Sequence, residues 1–395
     1  MATFETVIGL EVHVEMATAT KLFCSCPNRF GAEPNTQVCP VCLGLPGALP
    51  VLNEAAVEFA LRVGEALHCG VPERSIFHRK NYFYPDMPKN FQTSQYDEPI
   101  CVDGWLEVPE PPAGTRRIGI ERAHLEEDTG KTTHVGSGGG RIHDAHHSLV
   151  DYNRAGVPLM EIVSRPDIRS AEGARSYVTE LRSILAAIGV SDVKMEEGSL
   201  RVDANVSLRP AGTDAYGTRV EIKNMNSIRS LGRALEYEQR RQHDVLAGGG
   251  TIAQETRHWD EEAGRTSPLR SKEEAFDYRY FPEPDLVPVE PSAQWRSAVA
   301  AAMPELPAAR RARLAQAWGI SERDAGVLAG TAGLADYVEA AVAAGAPGRE
   351  ATNWAVGELM AFVNDSGTPV GGLALSPEGL AELVGMVGDG TLSRP

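Results

Sequence analysis

The sequence predicts an α+β protein, an antiparallel-sheet domain followed by an all-α helical domain, and three observations carry that expectation. Segments with strict two-residue alternation of apolar and polar side chains recur through residues 4–291. A proline-crowded stretch, PEPDLVPVEPSAQ, then reads as a linker. Beyond Trp295 the chain turns alanine-rich, in helical segments such as ERDAGVLAG and SPEGLAELVGMV that are bounded by Gly, Pro or Ser. At 395 residues the chain exceeds one ordinary core. With 42% hydrophobic and 23% charged residues it is globular in composition rather than disordered or fibrous.

The first strand is GLEVHVEM, in which Leu10, Val12 and Val14 point one way and Glu11, His13 and Glu15 the other. Next come Cys24-Ser-Cys26 and, after twelve residues, Cys39-Pro-Val-Cys42. Two close thiol pairs on a short excursion are typical of a tetrahedral structural zinc site, which would hold residues 21–46 where little core is available. Disulfides suit a reducing interior poorly, and a redox CxxC wants a thioredoxin-like βαβ context. Cys69 and Cys101 read as small buried hydrophobes.

Two segments, HRKNYFYPD at 78–86 and DYRYFPEPD at 277–285, combine cations, aromatics and proline-fixed backbone. They suit phosphate neutralisation and base stacking, or equally a core edged with charge. The run RIGIERAHLEED ends in Glu126, Glu127 and Asp128, and the glycine loop 136–140 matches neither the Walker A nor the Rossmann pattern. PLMEIVS sets Glu161 between Leu159 and Val163, SLRVDANVSL sets Arg201, Asp203 and Asn205 against Val202 and Ala204, and TRVEIKN carries Arg219, Glu221 and Lys223 on its polar side.

If these strands share an antiparallel sheet, Glu11, His13, Glu127, Glu161, Asp203 and Glu221 share one face. Such faces are often simply solvated. Like charges side by side are destabilising, however, and a carboxylate cluster becomes favourable around Mg²⁺ or Mn²⁺ that also binds substrate phosphates. On the pattern alone both readings stand, with another acid–base site as a third. Glu15 has no partner in the pattern and reads as solvated.

A net charge of −16 argues against indiscriminate polyanion binding but allows a local basic face. Arg229, Arg233 and Arg240 on the helix NSIRSLGRALEYEQRRQ, and Arg310, Arg311 and Arg313 further on, are candidates for phosphate contacts or ordinary solvated residues. No apolar run approaches the roughly 20 residues of a membrane span, and the N-terminus lacks the basic start of a signal peptide. A cytoplasmic location is expected.

VIGLEVHVEM, RKNYFYPDMPKNFQTSQ, HLEEDTGK, SLVDYNRAGVPLMEIVS, DVKMEEGSLRVDANVS, EIKNMNS and DYRYFPEPDL resemble, in order, the motifs of the B subunit of the aspartyl/glutamyl-tRNA amidotransferase. The helical remainder resembles that family too, and the cysteine quartet is similar to a zinc knuckle found in part of it. The resemblance implies a cradle catalytic domain at 1–291, related in fold to glutamine synthetase and guanido kinases, with its knuckle at 21–46. A helical domain at 292–395 would follow, with the family's C-terminal tail domain missing beyond GDGTLSRP.

The implied activity is phosphorylation by ATP and Mg²⁺ of the side-chain carboxylate on misacylated Glu-tRNA(Gln), often also Asp-tRNA(Asn), followed by amidation. Ammonia would come from glutamine through a partner amidase (A) subunit, with a small C subunit joining the two. The resemblance implies Glu11, His13, Glu127, Asp203 and Glu221 as magnesium residues and Cys24, Cys26, Cys39 and Cys42 as zinc ligands. It gives catalytic roles to His13, Glu126 and Glu161, His13 either ligating metal or handling the proton of ammonia. Lys80, Tyr82, Lys223 and Arg279 are the ATP or substrate contacts. A non-catalytic tRNA-binding scaffold and a stand-alone carboxylate–amine ligase are the alternatives.

Overall fold

Alternation in the first segment produces β1 (Phe4–Glu15), whose Val7, Ile8, Leu10, Val12 and Val14 are all buried. The computed structural model describes residues 3–110, 114–136, 145–271 and 278–393. Of the features singled out above, Ser137–Gly140 of the glycine loop and Asp277 lie outside the described residues.

Around β1 assemble β2 (His78–Asn81), β3 (Phe91–Ser94), β4 (Cys101–Glu110), β5 (Gly114–Glu127), β8 (Pro158–Ser164) and β9 (Leu200–Pro210). The sheet also takes in β10 (Val220–Lys223), β11 (Glu255–Asp260), β12 (Arg265–Ser271) and β13 (Phe281–Pro282). Among the described residues these make an eleven-stranded sheet in the order β12-β11-β10-β9-β1-β8-β5-β3-β2-β13, with β4 paired to β5. All its pairs are antiparallel except β10 with β11. A separate hairpin joins β6 (Lys131–Val135) to β7 (His147–Asp151).

Helices α1 (Glu54–Ala66), α2 (Ala171–Ala187) and α3 (Ile228–Ala247) start at Asn53, Ser170 and Ser227, each of which caps its helix by accepting a backbone N–H. They pack on the sheet, α1 on β4 and β5, α2 on β4, and α3 on β9 and β12. The apolar faces of these strands are thereby covered, and the opposite, polar face carries the charged residues.

Two compact units divide the chain, Met1–Met303 and Pro304–Pro395. The proline stretch is part of the first unit rather than a free linker: β13 extends the sheet beside β2, and Val289 exchanges backbone hydrogen bonds with Ser75 at 2.8 and 2.9 Å. Helix α4 (Ala293–Ala301) packs on α1, with Arg296 donating to the Val71 carbonyl at 3.2 Å.

The second unit consists of α5 (Pro307–Trp318), α6 (Glu322–Gly330), α7 (Leu334–Ala343), α8 (Gly348–Trp354), α9 (Met360–Ser366) and α10 (Pro377–Gly388). Leu314, Leu328, Leu334, Val338, Ala341 and Leu380 form its core. A π-helical turn, Ala355–Leu359, joins α8 to α9. Among the described residues no helix is long and apolar enough to cross a membrane.

Candidate active site

Register builds the site. His13 on β1 stands opposite Glu161 on β8, and Glu161 stands opposite His124 on β5. These side chains therefore form a row across three strands, and Glu126, two residues beyond His124, projects from the same face. His13 Nε2 lies 3.5 Å from Glu161 Oε2, and His124 Nε2 lies 3.6 Å from Glu161 and 3.9 Å from Glu126. One ligand atom from each of His13, Glu126 and Glu161 falls within 4.8 Å of the others.

The electrostatics of this trio are those of carboxylates kept charged against burial. Burial pushes the Glu126 carboxyl up, but the His124 hydrogen bond and the Lys80 charge outweigh it and bring it below its ordinary value. For Glu161 burial is likewise outweighed, by His124 and His13. Burial alone would depress His13, yet Glu161 raises it. Lys80 holds its ammonium 4.9 Å from the Tyr278 ring centre, and Glu126 and Tyr280 raise it despite burial. An imidazole nitrogen and two carboxylate oxygens converging in this way fit a divalent cation.

A second acidic group continues along the same face. Glu11 pairs in register with Asp203, and Asn205 with Glu221. Lys223 Nζ lies 2.5 Å from Asp203 and 3.3 Å from Glu221, Asn205 donates to Glu11 at 2.8 Å, and Thr256 donates to Glu221 at 2.6 Å. Burial and the neighbouring Glu161, Glu221 and Asp203 raise the Glu11 carboxyl. Burial would lower Lys223, but Asp203 and Glu221 hold it well above its ordinary value. Beside this group opens a cavity of about 350 Å³ lined in part by Gly9, Glu11, Asn205, Tyr216 and Arg219.

Two expectations need correction. Glu127 does not join the polar face: alternation from His124 and Glu126 sends it to the other side, where it forms an ion pair with Lys89 and accepts from the Thr93 N–H at 2.8 Å. Glu15 is not simply solvated either. Burial and the neighbouring Asp128 push its carboxyl up to about 8, while Arg201 and Arg154 hold Asp128 low against burial.

The remaining candidates have partners of their own. Tyr82 meets Tyr278 edge-on at 6.4 Å, with its phenol raised by burial. Arg279 takes φ 45° between Tyr278 and Tyr280, and Asn81 donates to the carbonyls of Tyr278 and Arg279. Arg233 pairs with Glu261, Arg310 with Asp336 and Glu339, and Arg313 with Glu305 and Glu339. Those three arginines are thus already engaged with carboxylates.

At the cysteine knuckle, Cys42 Sγ lies 3.5 Å from Cys24, 3.7 Å from Cys39 and 3.7 Å from Cys26. Tetrahedral zinc–thiolate bonds place sulfurs about 3.8 Å apart, so the quartet fits the ion. The Cys24 hydrogen bond and the Lys21 charge bring the Cys42 thiol below its ordinary value against burial.

A sequence profile described as the GatB/GatE catalytic domain matches residues 6–297, and a second, described as the GatB domain, matches residues 336–395. The chain belongs to the GatB/GatE family. The B subunit of the aspartyl/glutamyl-tRNA(Asn/Gln) amidotransferase from Frankia casuarinae is 58% identical over 398 residues, covering 100% of this chain and 78% of the relative. Its counterpart in Nocardia farcinica is 56% identical, with 100% and 79% covered, and that of Thermobifida fusca 55%, with 99% and 77% covered. Both the acidic face and the cysteine knuckle of this GatB/GatE chain lie inside the stretch matched to the catalytic domain. His124 and Lys21 were not among the residues singled out from sequence. His124 was signalled by its spacing of two from Glu126, whereas nothing in the sequence marks Lys21 as buried.

Proposed function

We propose that this chain activates and amidates the aminoacyl group within an aspartyl/glutamyl-tRNA amidotransferase. The observation that carries the reading is the convergence of His13, Glu126 and Glu161, with Lys80 alongside, on the polar face of the sheet. A carboxylate is a poor acyl donor because its oxygen leaves badly. In transfer of the γ-phosphoryl group of ATP to the side chain of Glu-tRNA(Gln) or Asp-tRNA(Asn), the carboxylate oxygen bonds to phosphorus, ADP departs, and that oxygen becomes part of a good leaving group. Ammonia then attacks the acyl carbon, phosphate departs with the bonding pair, and the nitrogen sheds a proton to leave the amide.

Phosphoryl transfer needs positioning and charge neutralisation more than a side-chain nucleophile. His13, Glu126 and Glu161, with Glu11, Asp203 and Glu221 further along, are the residues that would hold magnesium, which neutralises phosphate oxygens when bound. Lys80 contributes a fixed cation at the same end of the face. Tyr216 and Arg219 beside Glu11 suit a nucleoside, Lys223 suits a phosphate, and Tyr82 and Arg279 border the aminoacyl end. Taking the proton from the attacking nitrogen is the alternative role for His13, because an imidazole that ligates the metal has no lone pair left for a proton. A partner amidase (A) subunit would release the ammonia from glutamine, a small C subunit would join the two, and zinc would close the Cys24, Cys26, Cys39 and Cys42 knuckle.

The test is the complex assembled with its A and C subunits, given ATP and each misacylated tRNA, with and without glutamine. ADP formation that depends on misacylated tRNA, and amide formation that depends on ATP, are expected. Amide formation without ATP overturns the reading, and tRNA binding with no ADP produced favours a scaffold.

A further inference from the structure

Lys21 is fully buried, at 0% exposure. Its ammonium meets three acceptors: the Ala155 carbonyl at 2.7 Å, the Tyr152 carbonyl at 3.3 Å and Cys42 Sγ at 3.6 Å. An ammonium has three protons, so the site satisfies it fully. Carbonyls answer the hydrogen bonds but not the charge, and a buried ammonium is stable only beside an anion. Four thiolates around a dication leave the knuckle with surplus negative charge. The cation and the loaded knuckle therefore stabilise each other.

Tyr152 and Ala155 belong to the turn 152–157 between β7 and β8. That turn is bonded to the end of β5: Gly156 N–H donates to the Asp128 carbonyl at 2.9 Å, and Asp128 N–H donates to the Val157 carbonyl at 2.8 Å. Arg154 donates to the Thr129 carbonyl at 2.9 Å and lies 3.6 Å from the Asp128 carboxylate. Leu22 N–H, next along from Lys21, donates to the Gly156 carbonyl at 2.9 Å. The strands closed together by this turn, β5 and β8, are those that carry Glu126 and Glu161.

We propose that Lys21 is a positioning residue that couples metal occupancy of the knuckle to the order of the turn closing β5 against β8. Its ammonium compensates the Cys42 thiolate while its other two protons hold the turn. The inference rests on the metal and the fold, not on catalysis, and its test is separate from that of transamidation.

The full chain is loaded with zinc, and the release of the ion to a chelating dye is timed. Lys21→Met is expected to release zinc about 10- to 100-fold faster, the range typical for loss of an outer partner of a metal ligand, and Lys21→Arg to recover part of the difference. Hydrogen exchange supplies the second readout. The Gly156 and Asp128 amides should lose protection in Lys21→Met and, equally, in the unsubstituted chain once zinc is stripped. Zinc release from Lys21→Met at the unsubstituted rate overturns the proposal, as do unchanged Gly156 and Asp128 amides after stripping. If Lys21→Met does not fold, the stripping experiment decides alone.

Discussion

Glu126 and Glu127 are neighbours on β5 and are equally buried, each 3% exposed, yet they occupy opposite faces of the sheet in different company. Glu126 looks to His124, Glu161, Lys80 and the Ser94 hydroxyl. Glu127 is enclosed by the Lys89 ammonium and the Thr93 backbone N–H. A permanent cation and a fixed amide satisfy Glu127 for good. The imidazole beside Glu126 is a different kind of partner, since a neutral ring can itself ligate an incoming cation. Burial and residue type therefore do not separate a working carboxylate from a structural one, whereas the chemistry of its partners does.

The largest test of this contrast is Glu126→Gln. Removing one charge from the trio should cut ADP formation by the assembled enzyme about 10³-fold, at the upper end for a single preorganised electrostatic group. Glutamine hydrolysis by the partner amidase should continue. Unchanged ADP formation would remove Glu126 from the reaction and dissolve the distinction between the faces.

Next in size is Glu127→Gln, which leaves the Lys89 side chain, 10% exposed, without its anion. Breaking one side of a buried ion pair costs about 3 to 5 kcal/mol, so urea unfolding should shift by that order. Native Glu127→Gln enzyme should form ADP at nearly the unsubstituted rate. A variant that keeps its stability but loses ADP formation would return Glu127 to the polar face.

These two residues also show how far sequence could reach. The alternation of GLEVHVEM places His13, and the spacing of Cys24, Cys26, Cys39 and Cys42 marks the knuckle, because both are local patterns. Which residue His13 meets is not local: a slip of one residue between β1 and β8 would turn the whole of β8 over. For Glu127 a local signal existed, since Ala123 and Leu125 are buried apolar residues that alternate with His124 and Glu126. The acidic run of Glu126, Glu127 and Asp128 concealed its phase. The proline stretch was misread for a related reason: proline is excluded from central strands but tolerated at an edge, where β13 places Pro282. Lys21 was invisible because burial of a lysine depends on what folds over it, here Tyr152, Ala155 and Cys42 from two distant segments.

Lys223 stands between the two extremes and yields the smallest expected effect. Like Lys89 it neutralises carboxylates, but it serves Asp203 and Glu221 together on the polar face, and 42% of its side chain is exposed. Screening by solvent limits its contribution to about 1 kcal/mol or less. Lys223→Met should therefore lower stability slightly in the absence of divalent ions. Because it leaves Glu11, Asp203 and Glu221 without their cation, added Mg²⁺ should raise the melting temperature of the variant more than that of the unsubstituted chain. A response no larger than the unsubstituted one would confine the cation-ready part of the face to His13, Glu126 and Glu161. A larger one would extend the cation-ready part of the face to Glu11, Asp203 and Glu221.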